Sequence, residues 1–495
     1  MSGATDDRQG HKAKYTKGSV GGLVTAIYPA LQERGGIWFG WSGKTGLRQL
    51  SLSPSVHIRG NIEFMTIDLT ESDIENYYSG FSNRTLWPLV HSFPTRVRMR
   101  EDEYRAYRRV NRRFAEIMKP HLRDDDMVWI QDYHLIPLGA NLRQLGWKGP
   151  LGFFLHTPFP PPEIFWILPW ARPLLDDFMR YDLVGFHTEK FRENFESSMF
   201  IDFDGARENH CLSRGGERLH TGVYPIGINP ASFRNWAGSP GALKQKNSIA
   251  RNIGKRAMIL GVDRLDYTKG IEERLRTFEK FLEKFPGWIR KVSLIQISSP
   301  SRTRITEYMN QKRQVEMIVG EINGRFADAD WTPISYLYRS FDQESLVGFY
   351  RAADVCFVSP LRDGMNLVAK EYVASQGDTP GVLVLSRFCG AAEYLRGAII
   401  INPYDLDGTA RALKVALEMP PSEKKRRWAS LMETVEKHSA KRWRDSFLDD
   451  LISRRSSSPG GAAMGIGERL LDGVILPAAE TKPDDSAYRK KRPES

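Results

Sequence analysis

The sequence predicts an α/β protein built from two parallel sheets, on three observations. Strand-like apolar runs alternate with helical patterns along most of the chain, as they do in βαβ units. Its 495 residues exceed what one core usually holds, so two domains of about 200 residues each are expected. Pro230, Gly238, Pro240 and Gly241 interrupt the periodicity midway, which places the division near 227–247.

In chain order, the opening residues 1–17 are polar and carry no signal peptide, and no apolar run reaches the length of a membrane span. Strands are expected at 128–130, 151–155, 183–186 and 223–226 in a first domain, 1–235. A second domain, 236–454, should hold strands at 258–262, 292–297, 355–358, 382–385 and 399–401. Ile271, Leu275, Phe278, Phe281, Leu282 and Phe285 recur at helical spacing until Pro286, so a helix with one core face follows the strand at 258–262. From 455 onward Ser, Pro, Gly and charged residues predict a mostly disordered tail, within which 470–477 is the segment able to dock as a short element.

The net charge of +11 allows nucleic acid, an anionic surface or phosphorylated small molecules as partners. The basic clusters at 96–100, at 424–427 and at the C-terminus are not interleaved with aromatics as a strand-binding groove would be, which argues against nucleic acid. Cys211, Cys356 and Cys389 share no close spacing, so reduced thiols in the cytoplasm are expected, with neither a disulfide framework nor a zinc site.

Two segments carry the chemistry. Between the strand at 258–262 and its helix, Arg264 and Lys269 stand just ahead of a helix N-terminus that is already positive, a conflict that a bound phosphate or diphosphate would remove. Read alone they would be two solvated cations. The second segment, Asp363-Gly364-Met365-Asn366-Leu367-Val368, also follows an apolar strand and opens a helix. Its glycine permits close backbone approach and its free N–H groups suit an anion, while Glu371 one turn on can reach hydroxyls of whatever carries the phosphate. Ligands in such folds bind where the carboxyl ends of strands face one another, and all these motifs lie at strand ends.

With Leu155-His156-Thr157-Pro158-Phe159-Pro160 and Trp129-Ile130-Gln131-Asp132-Tyr133-His134, these segments resemble the trehalose-6-phosphate synthases, retaining glycosyltransferases of the GT-B architecture with two Rossmann-like domains facing a central cleft. The resemblance runs from about Gly21 to about Leu451. It implies transfer of glucose from UDP-glucose to glucose 6-phosphate with no metal or other cofactor. It also implies that Gly21, Gly22, Arg264, Lys269, Asp363 to Val368 and Glu371 bind the donor, that His156 contacts the transferred glucose and that Asp132 lies by the sugars. Trp41, Tyr78, Trp87, Asp132 and Arg302 match the acceptor positions, and Asp132, His156, Arg264 and Lys269 form the catalytic set. No second carboxylate stands in these motifs to make a double-displacement pair with Asp132. Retention in this family is usually ascribed to front-face attack, with the leaving phosphate taking the acceptor's proton.

The residues leave three readings open: the hexose-phosphate acceptor, a smaller one as in glucosylglycerol-phosphate synthase, and a noncatalytic nucleotide-sugar-binding relative. Small-molecule substrates are the expected partners, with no nucleic acid or membrane, while homo-oligomerisation and the identity of the nucleotide base are not legible. The chain departs from the family pattern before Gly21, where an apolar strand ending in Ser-Asn-Arg is expected. Arg8 lies near the expected place without such a strand, and loss of an inner strand would leave its neighbours' backbone groups unpaired.

Overall fold

The computed structural model describes residues 27–28, 31, 33, 35–46, 53–201, 204–302, 305–456 and 470–473. Its strands are, in chain order, β1 (Gly36–Thr45), β2 (Ser55–Arg59), β3 (Ile62–Leu69), β4 (Met127–Gln131), β5 (Leu151–Phe154), β6 (Leu183–Phe186), β7 (Ala206–Glu208), β8 (Cys211–Arg214), β9 (Glu217–Val223), β10 (Ala257–Arg264), β11 (Val292–Ser299), β12 (Ile334–Leu337), β13 (Val355–Val358), β14 (Val382–Ser386), β15 (Ile399–Ile401) and β16 (Leu470–Gly473). They form a ten-stranded sheet of order β2-β3-β1-β16-β4-β5-β6-β9-β8-β7 and a six-stranded sheet of order β12-β11-β10-β13-β14-β15. The second sheet is parallel throughout. The first is parallel from β3 to β9, with antiparallel edges.

The inner strands of both sheets lie where the apolar runs predict them, and the exceptions have physical causes. The strand expected at 223–226 is displaced: β9 ends at Val223, and Leu183 to Phe186 pair with His220 to Val223. Its polar residues belong to an edge hairpin that needs one buried face only. β1 is not legible as a strand because glycines at 36, 40 and 43 break an otherwise apolar run. β2 is exposed along its whole length, and β12 is a half-exposed edge. Pro230 and Pro240 open helices, Pro230–Ala237 and Pro240–Ile253, whose first N–H groups are capped by Asn229 and Ser239.

The neighbours of the supposed missing strand are not unpaired. Leu470 to Gly473 pair in parallel with Gly36 to Phe39 on one side and with Met127 to Ile130 on the other. The element expected somewhere in 470–477 is therefore an inner strand of the first sheet. The rest of the tail expectation, and the stretch before Gly21, lie outside the described residues.

The helix Ile271–Lys284 buries Ile271, Leu275, Phe278, Phe281 and Leu282 completely against the second sheet, worth roughly 1.5–3 kcal/mol for each side chain. The helix Ala440–Ser456 returns to the first sheet instead. Phe447 stacks on Trp129 with ring centroids 4.7 Å apart, and a Cβ on Gly152 or Gly185 would come within 2.8 Å of Phe447. The two passages of the chain between the halves lie side by side. Ala440 N–H donates to the Ile228 carbonyl at 2.9 Å, and a Cβ on Gly227 would meet the His438 carbonyl at 1.8 Å. Lys370 adds a tie, its Nζ donating to the Ile226 carbonyl at 2.5 Å, and burial pulls its pKa down to about 7. Cys211, Cys356 and Cys389 are free. Among the described residues no helix is long and apolar enough to cross a membrane.

Candidate active site

Asp132 ends β4 with φ at 69°, a left-handed conformation that a non-glycine residue holds only when its surroundings impose it. Here they do. Its Oδ1 accepts from the Tyr133 N–H at 3.0 Å and from the His156 N–H at 3.3 Å, which ties the carboxyl ends of β4 and β5 together. Burial pushes its pKa up to about 6, against those hydrogen bonds and the charges of Arg264 and Arg302. His156 Nε2 lies 2.9 Å from Gln131 Oε1. Burial, then the neighbouring His187, keeps the His156 imidazole neutral.

Aromatic and cationic side chains gather beside these ends. Trp41 on β1 packs on Tyr78 with centroids 5.3 Å apart, and Tyr78 stacks on His134 at 5.7 Å. Tyr78 is carried by a π-helical segment, Ile74–Leu86, a geometry that recurs at functional sites. The Arg302 guanidinium lies 4.1 Å from the Trp87 ring centroid and that of Arg264 lies 5.7 Å from it. Arg302 donates to the Tyr133 hydroxyl at 3.1 Å and to Asp266 at 3.3 Å, and it also meets the Tyr308 hydroxyl. Burial alone would raise the Asp266 pKa, but Arg302, Lys269 and Arg264 bring it down to about 2.

The second sheet supplies the opposite wall. Lys269 Nζ donates to Asp363 at 2.8 Å, and the Asn366 amide donates to the same carboxylate at 3.1 Å. These contacts hold the Asp363 carboxyl below its usual range despite burial. Asn366, at φ 77°, caps the helix Leu367–Ser375 by accepting from the Ala369 N–H. On that helix Val368 is half-buried, while Met365 in the preceding loop is buried. Glu371 accepts from the Tyr350 hydroxyl at 2.8 Å, and burial pushes its pKa up to about 7. Gly364 permits an approach to protein backbone: a Cβ there would lie 1.9 Å from the His156 carbonyl. The loop after β13 is thus seated on the end of β5, and the carboxyl ends of the two sheets meet.

The structure brings Trp41, Tyr78, Trp87, Asp132, His156, Arg264, Lys269, Arg302 and the 363–371 segment to one cleft. Gly21 and Gly22 lie outside the described residues. Arg264 and Lys269 both precede the helix Ile271–Lys284 but differ in their surroundings. Lys269 is nearly buried in its ion pair with Asp363, whereas Arg264 is exposed over Trp87.

Tyr133 and His134 stand inside the 129–134 motif and Asp266 between Arg264 and Lys269, but sequence does not show which members of a motif face inward. His134 is buried with neither ring nitrogen hydrogen-bonded, and burial, then Arg302, lowers its pKa to about 3. His91 had no sequence signal. Its Nδ1 lies 2.8 Å from the Trp87 carbonyl, and burial, then Lys269, lowers its pKa to about 3. Among the described residues no group of three His, Cys, Asp or Glu side chains could hold a metal ion.

Known proteins resemble the chain over most of its length. The profile of glycosyltransferase family 20 matches residues 2–453, a span that includes the stretch before Gly21. A trehalose-6-phosphate synthase of Sinorhizobium fredii is 42% identical over 437 residues, covering 88% of this chain and 94% of its own. The crystal structure of a UDP-forming alpha,alpha-trehalose-phosphate synthase from Burkholderia xenovorans in complex with glucose-6-phosphate superposes with a TM-score of 0.84 at 41% identity, covering 88% of this chain and 97% of that one. An E. coli structure bound with UDP-2-fluoro glucose superposes with a TM-score of 0.84 at 41% identity, covering 88% and 96%.

Proposed function

Because this chain belongs to glycosyltransferase family 20, we propose that it transfers glucose from UDP-glucose to glucose 6-phosphate with retention, giving α,α-trehalose 6-phosphate and UDP. The names of its relatives and the ligands of its structural neighbours support these substrates. The observation that carries the reading is the pair of guanidinium groups, Arg264 and Arg302, against the Trp87 ring beside Asp132.

UDP-glucose binds between the halves, its diphosphate against Arg264, Lys269 and the loop from Asp363 to Val368, its ribose hydroxyls on Glu371. Gly21 and Gly22 are proposed donor residues on the family pattern alone. Glucose 6-phosphate lies on Trp41, Tyr78 and Trp87 with its phosphate toward Arg302, because aromatic faces suit sugar rings and a guanidinium suits phosphate. His156, neutral, hydrogen-bonds the transferred glucose.

As the glycosidic bond to the diphosphate breaks, negative charge grows on the leaving oxygen. Arg264, exposed to the cleft, and Lys269, held by Asp363, are already in place to stabilise it. Asp132 is oriented by two backbone N–H groups and serves the sugars as a hydrogen-bond acceptor. The leaving phosphate takes the proton of the attacking hydroxyl. UDP-glucose is a substrate, and no metal or further cofactor is assigned. A division into domains 1–235 and 236–454 and a cytoplasmic location are proposed on the same basis.

The test is UDP release from UDP-glucose by the purified chain, with and without glucose 6-phosphate. Release that requires glucose 6-phosphate is expected, and Arg264→Ala should lower kcat roughly 10²–10³-fold with the fold intact. Release driven by glycerol 3-phosphate instead, or UDP binding without release by either acceptor, would overturn the reading.

A further inference from the structure

We propose that residues Leu470–Gly473 act as an inner strand lent by the chain's own C-terminal segment, and that their presence in the first sheet sets the width of the acceptor pocket. The inference rests on the acceptor site proposed above. It adds a positioning element that begins 99 residues beyond Glu371, the last of the residues assigned to the cleft.

The topology carries it. β16 has partners on both sides, Leu471 standing opposite Ile37 of β1 and opposite Val128 of β4. β1 and β4 make no pairing with each other. Two strand spacings, about 9.5 Å, therefore separate them because a third strand lies between. The acceptor pocket is built across that separation. Trp41 lies on β1 two residues past the last one paired with β16, His134 follows the end of β4, and Tyr78 packs against both. Withdrawal of β16 would either open a row of backbone donors and acceptors on β1 and β4 or let the two close to one spacing, about 4.8 Å. Either change moves Trp41 relative to His134. The donor wall belongs to the other sheet, on β10, β13 and their loops, and is expected to change less.

The reach is sufficient. The helix Ala440–Ser456 lies against the same sheet through Trp443 and Phe447, both on Trp129 of β4. From its end, residues 457–469 can span about 40 Å when extended. The segment offers the one apolar stretch of the tail, Leu470-Leu471 and Val474-Ile475-Leu476, amid Ser, Gly and charge. Strand addition of this kind draws its affinity from main-chain hydrogen bonds, so the slot would accept this segment with little demand on individual side chains.

Hydrogen exchange on the full chain, paired with kinetics of Leu471→Pro, tests the proposal. Proline has no N–H for either neighbour. In the wild type, amides of 470–473 should be protected like those of 127–130, at a level that does not change with protein concentration. In Leu471→Pro, 36–39 and 127–130 should exchange about tenfold faster or more, while 257–262 is unchanged. KM for glucose 6-phosphate should rise about tenfold with the Kd of UDP within about twofold, and Leu471→Val should behave as wild type.

Exchange of 470–473 as fast as the chain end overturns the proposal, even if the proline variant does not fold. So does an unchanged KM in the folded variant. Protection that appears only as the protein dimerises would assign the strand to a second copy and overturn docking within one chain. If glucose 6-phosphate proves not to be the acceptor, the exchange pattern still decides whether the strand is there.

Discussion

At the residue scale, charge in this cleft is set by burial and then corrected by partners. Glu371 is the clearest case, its pKa raised by burial to about 7 from an ordinary 4.5. A carboxyl raised in the folded state contributes stability that is complete below pH 4.5 and is lost as pH rises through 7. Urea titrations should therefore show Glu371→Gln matching wild type near pH 4 and exceeding it near pH 8 by up to about 3 kcal/mol. UDP-glucose affinity should fall in the same variant, since an amide replaces the carboxylate that accepts the ribose hydroxyls. Trp87 gives a second expectation, because its ring lies under Arg302 at 4.1 Å and Arg264 at 5.7 Å. Trp87→Leu should raise KM for glucose 6-phosphate by about tenfold, the worth of one to two kcal/mol of cation–π contact, and leave UDP binding in place. Residue types in the motifs foretold a cleft with cations, carboxylates and aromatic faces. They did not foretell that Lys269 would be committed to Asp363, or that His91 would stand beside them, because such pairings join segments that only the folded chain brings together.

At the scale of elements, the legible parts were those buried on both faces. β4, β5, β6, β10, β11, β13 and β14 read as apolar runs because a parallel strand between helices has no wet side, while the edge strand β15, with Ile400 exposed, reads as one through its three isoleucines. Edge hairpins, which need one dry face or none, gave no such signal. The prolines near 235, Pro230 and Pro240, interrupt the apolar pattern as the first residues of helices, the one place in a helix where a missing N–H costs nothing. Gly364 carries a second constraint that its own segment does not show, the backbone of another strand end against its Cα. Gly364→Ala should accordingly act on both halves of the site. The expected result is a loss of about 1–3 kcal/mol in stability together with weaker binding of UDP and of glucose 6-phosphate, checked by thermal melts and calorimetry. Loss of UDP binding alone would place the clash on the donor side only.

At the scale of the molecule, two sheets meeting at their carboxyl ends were foreseeable from length, alternation and a midway break. The return of the helix Ala440–Ser456 to the first sheet was not, since an amphipathic helix does not announce which sheet it will cover. Nor was the position of β16, because a four-residue strand carries no address in its own sequence. Its place in the order of synthesis has a consequence for how the protein is made. The second sheet, β10 to β15, can close as soon as residue 401 is available, but the first must wait for residue 470 to fill the gap between β1 and β4. Roughly 340 residues separate β4 from its partner, a delay of about 17–70 s at ~5–20 residues per second. The half made first is thus finished last, and a nascent chain halted near residue 455 should yield its first sheet to protease while its second sheet resists.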